Sequence, residues 1–222
     1  TAQVQALTTS QVAGMQTSQV NALTTGSVSA LSANQIRAMS TGQVAAINTS
    51  AVAVLNSTQV GALSTDQVAA LTTNQVAALT TTEAAAMSAA QAKALTTSQL
   101  DALNTANVQA LTLNSVKALT TAQIAALSTS QVNALETQDF AELSEAQLTA
   151  LTTAQVNALS TAAISVLSND QVTKFTTAQV QALTTSNVGA LNSDQVAALT
   201  TAQVGALTTS QVRAVTTAAV AA

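Results

Sequence analysis

The sequence predicts an all-α fold, a solenoid or superhelix of very short helical segments with one segment in each eight-residue repeat. Three observations support this prediction. The unit T-x-Q-V-x-A-L-[ST] recurs from Thr1 to Thr216 without insertion or deletion, every copy keeps two apolar positions, and nearly every copy carries a helix-start signal. A strict short period is typical of structures in which each unit contacts its neighbours instead of a central core.

We label the eight positions a to h, with Thr1 at position a. Positions d and g are apolar throughout, as at Val4 and Leu7, and position f is nearly always Ala. Position h is Ser, Thr or Asn in all but two copies, which have Gln16 and Glu136. Position c is Gln in most copies, whereas positions b and e vary and carry most of the charges. This variation predicts that b and e face solvent.

The run h-a-b-c reads [ST]-x-x-Q, which is a capping box if h is the N-cap residue and c is N3. Positions g and d then form a hydrophobic staple on either side of the cap, as with Leu7 and Val12. Each helix is under two turns long, and the chain changes direction at every h. We expect d, f and g to point inward, with a small residue at f lining a narrow lumen. The number of segments per coil is left open, although Met15, Met39 and Met87 are separated by multiples of 24 residues, which favours three.

Two other architectures are compatible with an eight-residue period. In a continuous α-helix the apolar stripe would rotate by about 80° in each repeat, so that no single face would stay buried. A β-solenoid is the stronger alternative because Thr and Val are abundant. Strand alternation, however, would place apolar g on the same face as polar c and the charged e positions.

Composition limits the possible functions. Hydrophobic residues make up 48%, charged residues 6% and aromatic residues 1%, and there is no His or Cys. The chain therefore has no His-dependent catalytic triad and no thiolate or imidazole metal ligands, and we predict that it is not an enzyme and uses no cofactor. Five scattered cations and a net charge of −4 indicate no nucleic-acid surface. No apolar run approaches the roughly 20 residues that membrane insertion requires.

One stretch departs from the repeat by its acidity. Glu136, Asp139, Glu142 and Glu145 lie there together, with Phe140 at position d. These five residues are the candidate interaction patch, for a partner or a cation. The simpler interpretation is a drifted repeat with a solvated face.

The unit L-[ST]-T-x-Q-V-x-A-L, seen at residues 63–71 and 199–207, resembles the tandem octapeptide repeats of large bacterial secreted or surface proteins described as adhesin-like or haemagglutinin-like. The resemblance covers the whole chain and implies an extracellular or cell-surface location. It supplies no binding residues.

Residues 1–222 are predicted to form one continuous array of about 28 repeats, and we expect this array to be a segment of a longer one. The expected function is structural, as a rod, stalk or filament segment that associates with itself end to end or side by side. The alternative is a binding surface in which the regular Thr residues at position a contact ice or carbohydrate.

Overall fold

The computed structural model describes residues 2–215, and within them the chain forms 27 helices of four to six residues and no strand. The prediction of one short helix per repeat is confirmed, and the β-solenoid alternative is wrong for this part of the chain. The helices are α1 Ala2–Gln5, α2 Thr9–Ala13, α3 Thr17–Asn21, α4 Thr25–Ser29, α5 Ala33–Ala38, α6 Thr41–Ala46, α7 Thr49–Val52, α8 Ser57–Ala62, α9 Thr65–Ala70, α10 Thr73–Ala77, α11 Thr81–Ala85, α12 Ala89–Ala94, α13 Thr97–Ala102, α14 Thr105–Ala110, α15 Leu113–Ala118, α16 Thr121–Ala126, α17 Thr129–Ala134, α18 Thr137–Glu142, α19 Glu145–Ala150, α20 Thr153–Ala158, α21 Thr161–Ser165, α22 Asn169–Thr173, α23 Thr177–Ala182, α24 Thr185–Gly189, α25 Ser193–Ala198, α26 Thr201–Ala206 and α27 Thr209–Ala214.

Most of the described helices begin with the capping box that the sequence predicts; α4, α7, α14, α15, α21 and α24 keep the N-cap side-chain bond but have no Gln or Glu at N3 to complete the box. In α13 the N-cap residue Thr96 is extended, at φ −69° and ψ 159°. Its Oγ1 accepts a hydrogen bond from the Gln99 amide at 3.2 Å, while Gln99 Oε1 accepts one from the Thr96 amide at 2.7 Å. Two of the amides that a helix start leaves without partners are satisfied in this way.

Each helix ends without a left-handed residue. Leu103, at position g after α13, is extended at φ −65° and ψ 135°, and the next residue is again an N-cap. No residue in the described range, glycine included, has a positive φ. Because the two-residue link uses only backbone angles that any L-residue adopts, the chain can turn every eight residues with few glycines and no proline.

The helices wind into coils of between three and four repeats. Closely packed helices are three apart in sequence, such as α10 with α13 and α20 with α23. Side-chain hydrogen bonds between successive coils join residues 25 to 31 positions apart. The three segments per coil favoured by the methionine spacing are therefore slightly too few.

The core contains positions c, d and g, whereas the sequence predicts d, f and g. Gln75, Val76 and Leu79 are buried, while Ala78 at position f is only half-buried. The prediction that f lines a narrow lumen is wrong. At 100° per residue, g lies about 40° from c and 60° from d around the helix, so c, d and g share one face. Position f lies about 160° from d, at the flank of that face, and Val54 and Val166 are exposed there.

Within residues 2–215 the chain divides into two compact units, with the boundary between Leu119 and Thr120. In each unit the helices follow the same three-apart packing, and positions d and g supply the apolar core. The predicted single array of residues 1–222 refers to the repeat register, which continues through the boundary in the sequence without an insertion.

Replacing Thr96 by Ala removes one N-cap acceptor, and we expect it to destabilise the protein by about 1 kcal/mol, the usual contribution of such a cap. The matched control is Thr97→Ala, because Thr97 is the exposed first residue of the same helix. Urea denaturation followed by circular dichroism measures both variants. Equal midpoints for the two would contradict the capping role of position h.

Candidate functional site

The most regular polar feature of the structure is a set of buried glutamines at position c, which we call the glutamine clamp. In α9, Gln67 Oε1 accepts from the amide of Ser64, the N-cap of its own helix, at 2.8 Å. Its Nε2 donates to the carbonyls of Ile36 at 3.0 Å and Met39 at 2.6 Å. The clamp residues that make this pair of donations are Gln35, Gln43, Gln59, Gln67, Gln75, Gln91 and Gln99 in the first unit, and Gln155, Gln171, Gln179, Gln195, Gln203 and Gln211 in the second.

The acceptors of the clamp belong to the end of the helix four repeats earlier. They are the carbonyls of positions d and g, 31 and 28 residues before the glutamine. A helix leaves its last carbonyls without partners inside the helix. Each clamp residue therefore caps the start of its own helix and the end of another, and it joins two successive coils.

The clamp is chemically inert and structurally specific. A primary amide does not titrate, and it carries both the acceptor and the two donors that this position requires. Gln75 is 1% exposed, so its bonds are formed away from competing water. The arrangement holds coils together and offers no nucleophile, acid or base.

Sequence reasoning identified only half of this role. It assigned the Oε1 of each position-c glutamine to the capping box and gave its Nε2 no partner. The usable signal was the choice of Gln over Glu at N3. Glu suits a capping box and the positive end of a helix, yet only Glu83 occupies position c as Glu. Because the repeats have Gln and not Glu at this position, the position requires a hydrogen-bond donor as well as an acceptor.

Glu83 places a carboxyl group in a clamp position. Its Oε2 accepts from the Thr80 amide at 2.6 Å, as the glutamines do, but its Oε1 is buried without a hydrogen-bond partner. The carbonyls that a glutamine would meet here belong to Val52 and Leu55. Burial raises the pKa of the Glu83 carboxyl above its usual 4.5, against hydrogen bonds from Thr80 and a weaker contribution from the Leu55 backbone. A neutral carboxylic acid has one proton to donate, which a carboxylate lacks.

The five residues of the predicted acidic patch do not form one surface. Asp139 and Phe140 are 3% and 2% exposed and lie in the packed face of α18. Asp139 Oδ2 accepts from the Glu136 amide at 2.9 Å. Burial raises the pKa of the Asp139 carboxyl, the Glu136 amide bond opposes this rise, and the Glu136 charge adds to it. Asp139 and Phe140 thus act as a position-c cap and a core residue.

The other acidic residues remain at the surface. Glu136 and Glu142 are exposed, and Glu145 forms an ion pair of 3.3 Å with Lys174. The two paired side chains are 60% and 41% exposed, so solvent screens their attraction. Among residues 2–215 no group of three or more His, Cys, Asp or Glu side chains is arranged to hold a metal ion.

Six stretches of the chain match the ALTTAQ repeat, at residues 52–81, 114–145, 132–169, 140–177, 170–201 and 188–222, which together span more than half of its length. The chain belongs to the ALTTAQ repeat family. The matched stretches from residue 114 onward contain complete clamps, such as Gln155 with the carbonyls of Ile124 and Leu127. No curated protein matches the chain. Within residues 2–215 no helix of this ALTTAQ repeat protein is long and apolar enough to cross a bilayer.

Replacing Gln67 by Met keeps the approximate size of the side chain but removes its donor and its acceptor. We expect a loss of about 1–3 kcal/mol for the buried carbonyls of Ile36 and Met39 that are left without this partner. The control is Gln109→Met, since Gln109 is exposed at position e. The midpoints of urea denaturation are measured for both variants and compared. A Gln67 variant no less stable than the Gln109 variant would contradict the clamp.

Replacing Glu83 by Gln supplies the missing amide donor, and we expect the protein to be stabilised by about 1–3 kcal/mol at neutral pH. The folded pKa of Glu83 lies above 4.5, so its protonated form is favoured by folding. The contribution of protonated Glu83 to stability should therefore be complete below pH 4.5 and be lost as the pH rises through the folded pKa. Urea midpoints measured between pH 4 and 8 should show a smaller fall in Glu83→Gln, with the remainder due partly to Asp139.

The control for this pH series is Asp66→Asn, which removes an exposed carboxylate from the first turn of α9. The stability of Asp66→Asn should fall between pH 4 and 8 by as much as the stability of the wild type. Identical pH profiles for the wild type and Glu83→Gln would show that Glu83 does not titrate in the folded protein as its burial implies.

Proposed function

We propose that this ALTTAQ repeat protein is a non-catalytic structural element, a rod, stalk or filament segment that lies outside the cell as part of a bacterial surface or secreted protein. The observation that carries the proposal is the glutamine clamp. Its donors and acceptors recur at a constant separation in both units, so every added repeat with Gln at position c is fastened in the same way. A structure of this kind is lengthened by duplicating repeats without any new type of contact.

The polar residues support the same proposal. Recurrent side chains of the repeat are already engaged in architecture: position h caps a helix, position c clamps two coils, and positions d and g fill the core. The extracellular location rests on the resemblance to adhesin-like and haemagglutinin-like repeats. Self-association, end to end or side by side, is part of the proposal because repeats of one copy can present the same contacts to another.

The proposal predicts that particle length grows with the number of repeats. The full chain and a variant with residues 57–80 duplicated would be examined by small-angle scattering and electron microscopy. We expect elongated particles, a fixed cross-section, and a maximum dimension that increases in the longer variant. Compact particles whose three dimensions all grow would contradict a rod or stalk. Antibody labelling of intact source cells would test the location, and sedimentation over a range of concentrations would test the filament.

A second function is favoured by one observation. The Thr residues at position a are exposed in most repeats, as at Thr73, Thr97 and Thr121, and their hydroxyls are not the ones that cap helices. A regular array of exposed hydroxyls and methyls could bind ice or carbohydrate. Thermal hysteresis and binding to a glycan array distinguish this function from the structural one, because a purely structural segment gives neither signal.

A further inference from the structure

Position c loses its glutamine at regular intervals along the chain. The exceptions in the described residues are Ser27, Ala51, Glu83, Asn107, Ser115, Asp139, Ala163 and Asn187. Successive exceptions are 24 or 32 residues apart, except for Asn107 and Ser115, which are adjacent repeats. Such a spacing is three or four repeats.

This spacing matches the pitch of the coil. Hydrogen bonds between successive coils join residues 25 to 31 apart, so a step of 24 or 32 residues moves about one coil along the axis. Within each unit the exceptions therefore lie on one side of the coil, with Asn107 and Ser115 next to each other along it. We call this line the seam: Ala51, Glu83, Asn107 and Ser115 in the first unit, and Asp139, Ala163 and Asn187 in the second.

The hydrogen bonding between coils is weaker at the seam, in a graded way. Asn107 is one methylene shorter than Gln and donates to one carbonyl only, that of Leu79, at 2.7 Å. Asn187 likewise reaches only Leu159, at 2.9 Å, and Ser115 reaches only Met87, at 3.0 Å. The clamp residues of the same units each reach two carbonyls, as Gln99 and Gln179 do.

Other seam residues donate nothing through the clamp. Ala163 has no polar atom in its side chain, and Glu83 leaves its Oε1 without a partner. At Ala51 the loss is partly offset from a neighbouring position, because Asn48 Nδ2 donates to the carbonyls of Leu23 at 2.9 Å and Asn21 at 3.3 Å. Position c thus joins the coils of each unit by two donations per repeat on most of their circumference and by one or none at the seam.

We propose that the seam is a hinge line built into each unit, along which successive coils separate first. Opening there breaks the fewest hydrogen bonds, whereas the faces on either side keep their full clamps. Each unit therefore bends in one direction, by widening the gap between coils at the seam. This inference goes beyond the structural role proposed above, since a rod of uniform stiffness would fulfil that role equally well.

Hydrogen–deuterium exchange of the full chain tests the seam. Amides of the seam helices α11 and α14 should exchange about tenfold faster than those of α10 and α13, which carry Gln75 and Gln99 in the same unit. In the second unit the amides of α24 should likewise exchange about tenfold faster than those of α23. Uniform exchange within each unit would overturn the proposal.

The substitutions Asn107→Gln and Asn187→Gln restore the residue that most repeats have. We expect each to slow exchange in its own helix to the level of the neighbouring clamped helix, α13 or α23, with little effect elsewhere. The matched loss is Gln99→Asn, which should speed exchange in α13 to the level of α14. If Asn107→Gln folds as judged by circular dichroism but leaves the difference between α13 and α14 unchanged, the missing donation is not the cause and the seam is refuted.

Discussion

The fold depends on the side-chain amide of the position-c glutamine, whose oxygen and nitrogen atoms both form hydrogen bonds. The Oε1 of a position-c glutamine closes the capping box of its own helix, and the Nε2 occupies the carbonyls of a helix one coil earlier, as Gln155 does for Thr152 on one side and Ile124 and Leu127 on the other. Helices of five or six residues are unstable in isolation because nucleation is costly and few bonds repay it. The clamp supplies bonds at both termini, where a short helix has most of its unsatisfied groups.

The remaining positions follow from this interaction. Once c is buried, the 100° helical step places d and g beside it and e opposite to it, so the apolar and solvent-facing positions are determined together. Gly61 and Gly205 show that position e faces open space. Both lie at this position, and a Cβ atom added at either one would have no neighbouring atom within 4 Å. Position e can vary because no residue type is required there, although a polar side chain at this position can add a bond between coils, as Asn157 does to the Ala182 carbonyl at 2.9 Å.

The sequence was sufficient for local structure and insufficient for contacts between coils. The capping box and the apolar positions involve residues three to five apart, so Thr96 and Gln99 could be assigned their roles directly. The clamp joins residues 28 and 31 apart, such as Gln75 with Ile47 and Val44, and its acceptors are backbone carbonyls that leave no trace in the side-chain pattern. The prediction for position f was wrong for the same reason, since it assumed an axis that only these contacts define. In the acidic stretch, charge suggested a surface, but the periodic position of Asp139 and Phe140 decided their burial.

The clamp also makes the array cooperative over a definite length. Gln11 and Gln19 have the same residue type and the same capping bond as Gln35, yet they are exposed while Gln35 is 3% exposed. The difference is that Gln35 finds the carbonyls of Val4 and Leu7, four repeats earlier, in position to accept. A clamp therefore requires five consecutive repeats, and fewer repeats retain caps and staples but no bond between coils. Stability in such a chain must appear abruptly at about five repeats and then rise with each further repeat, because every additional glutamine closes one more clamp on a helix already in place.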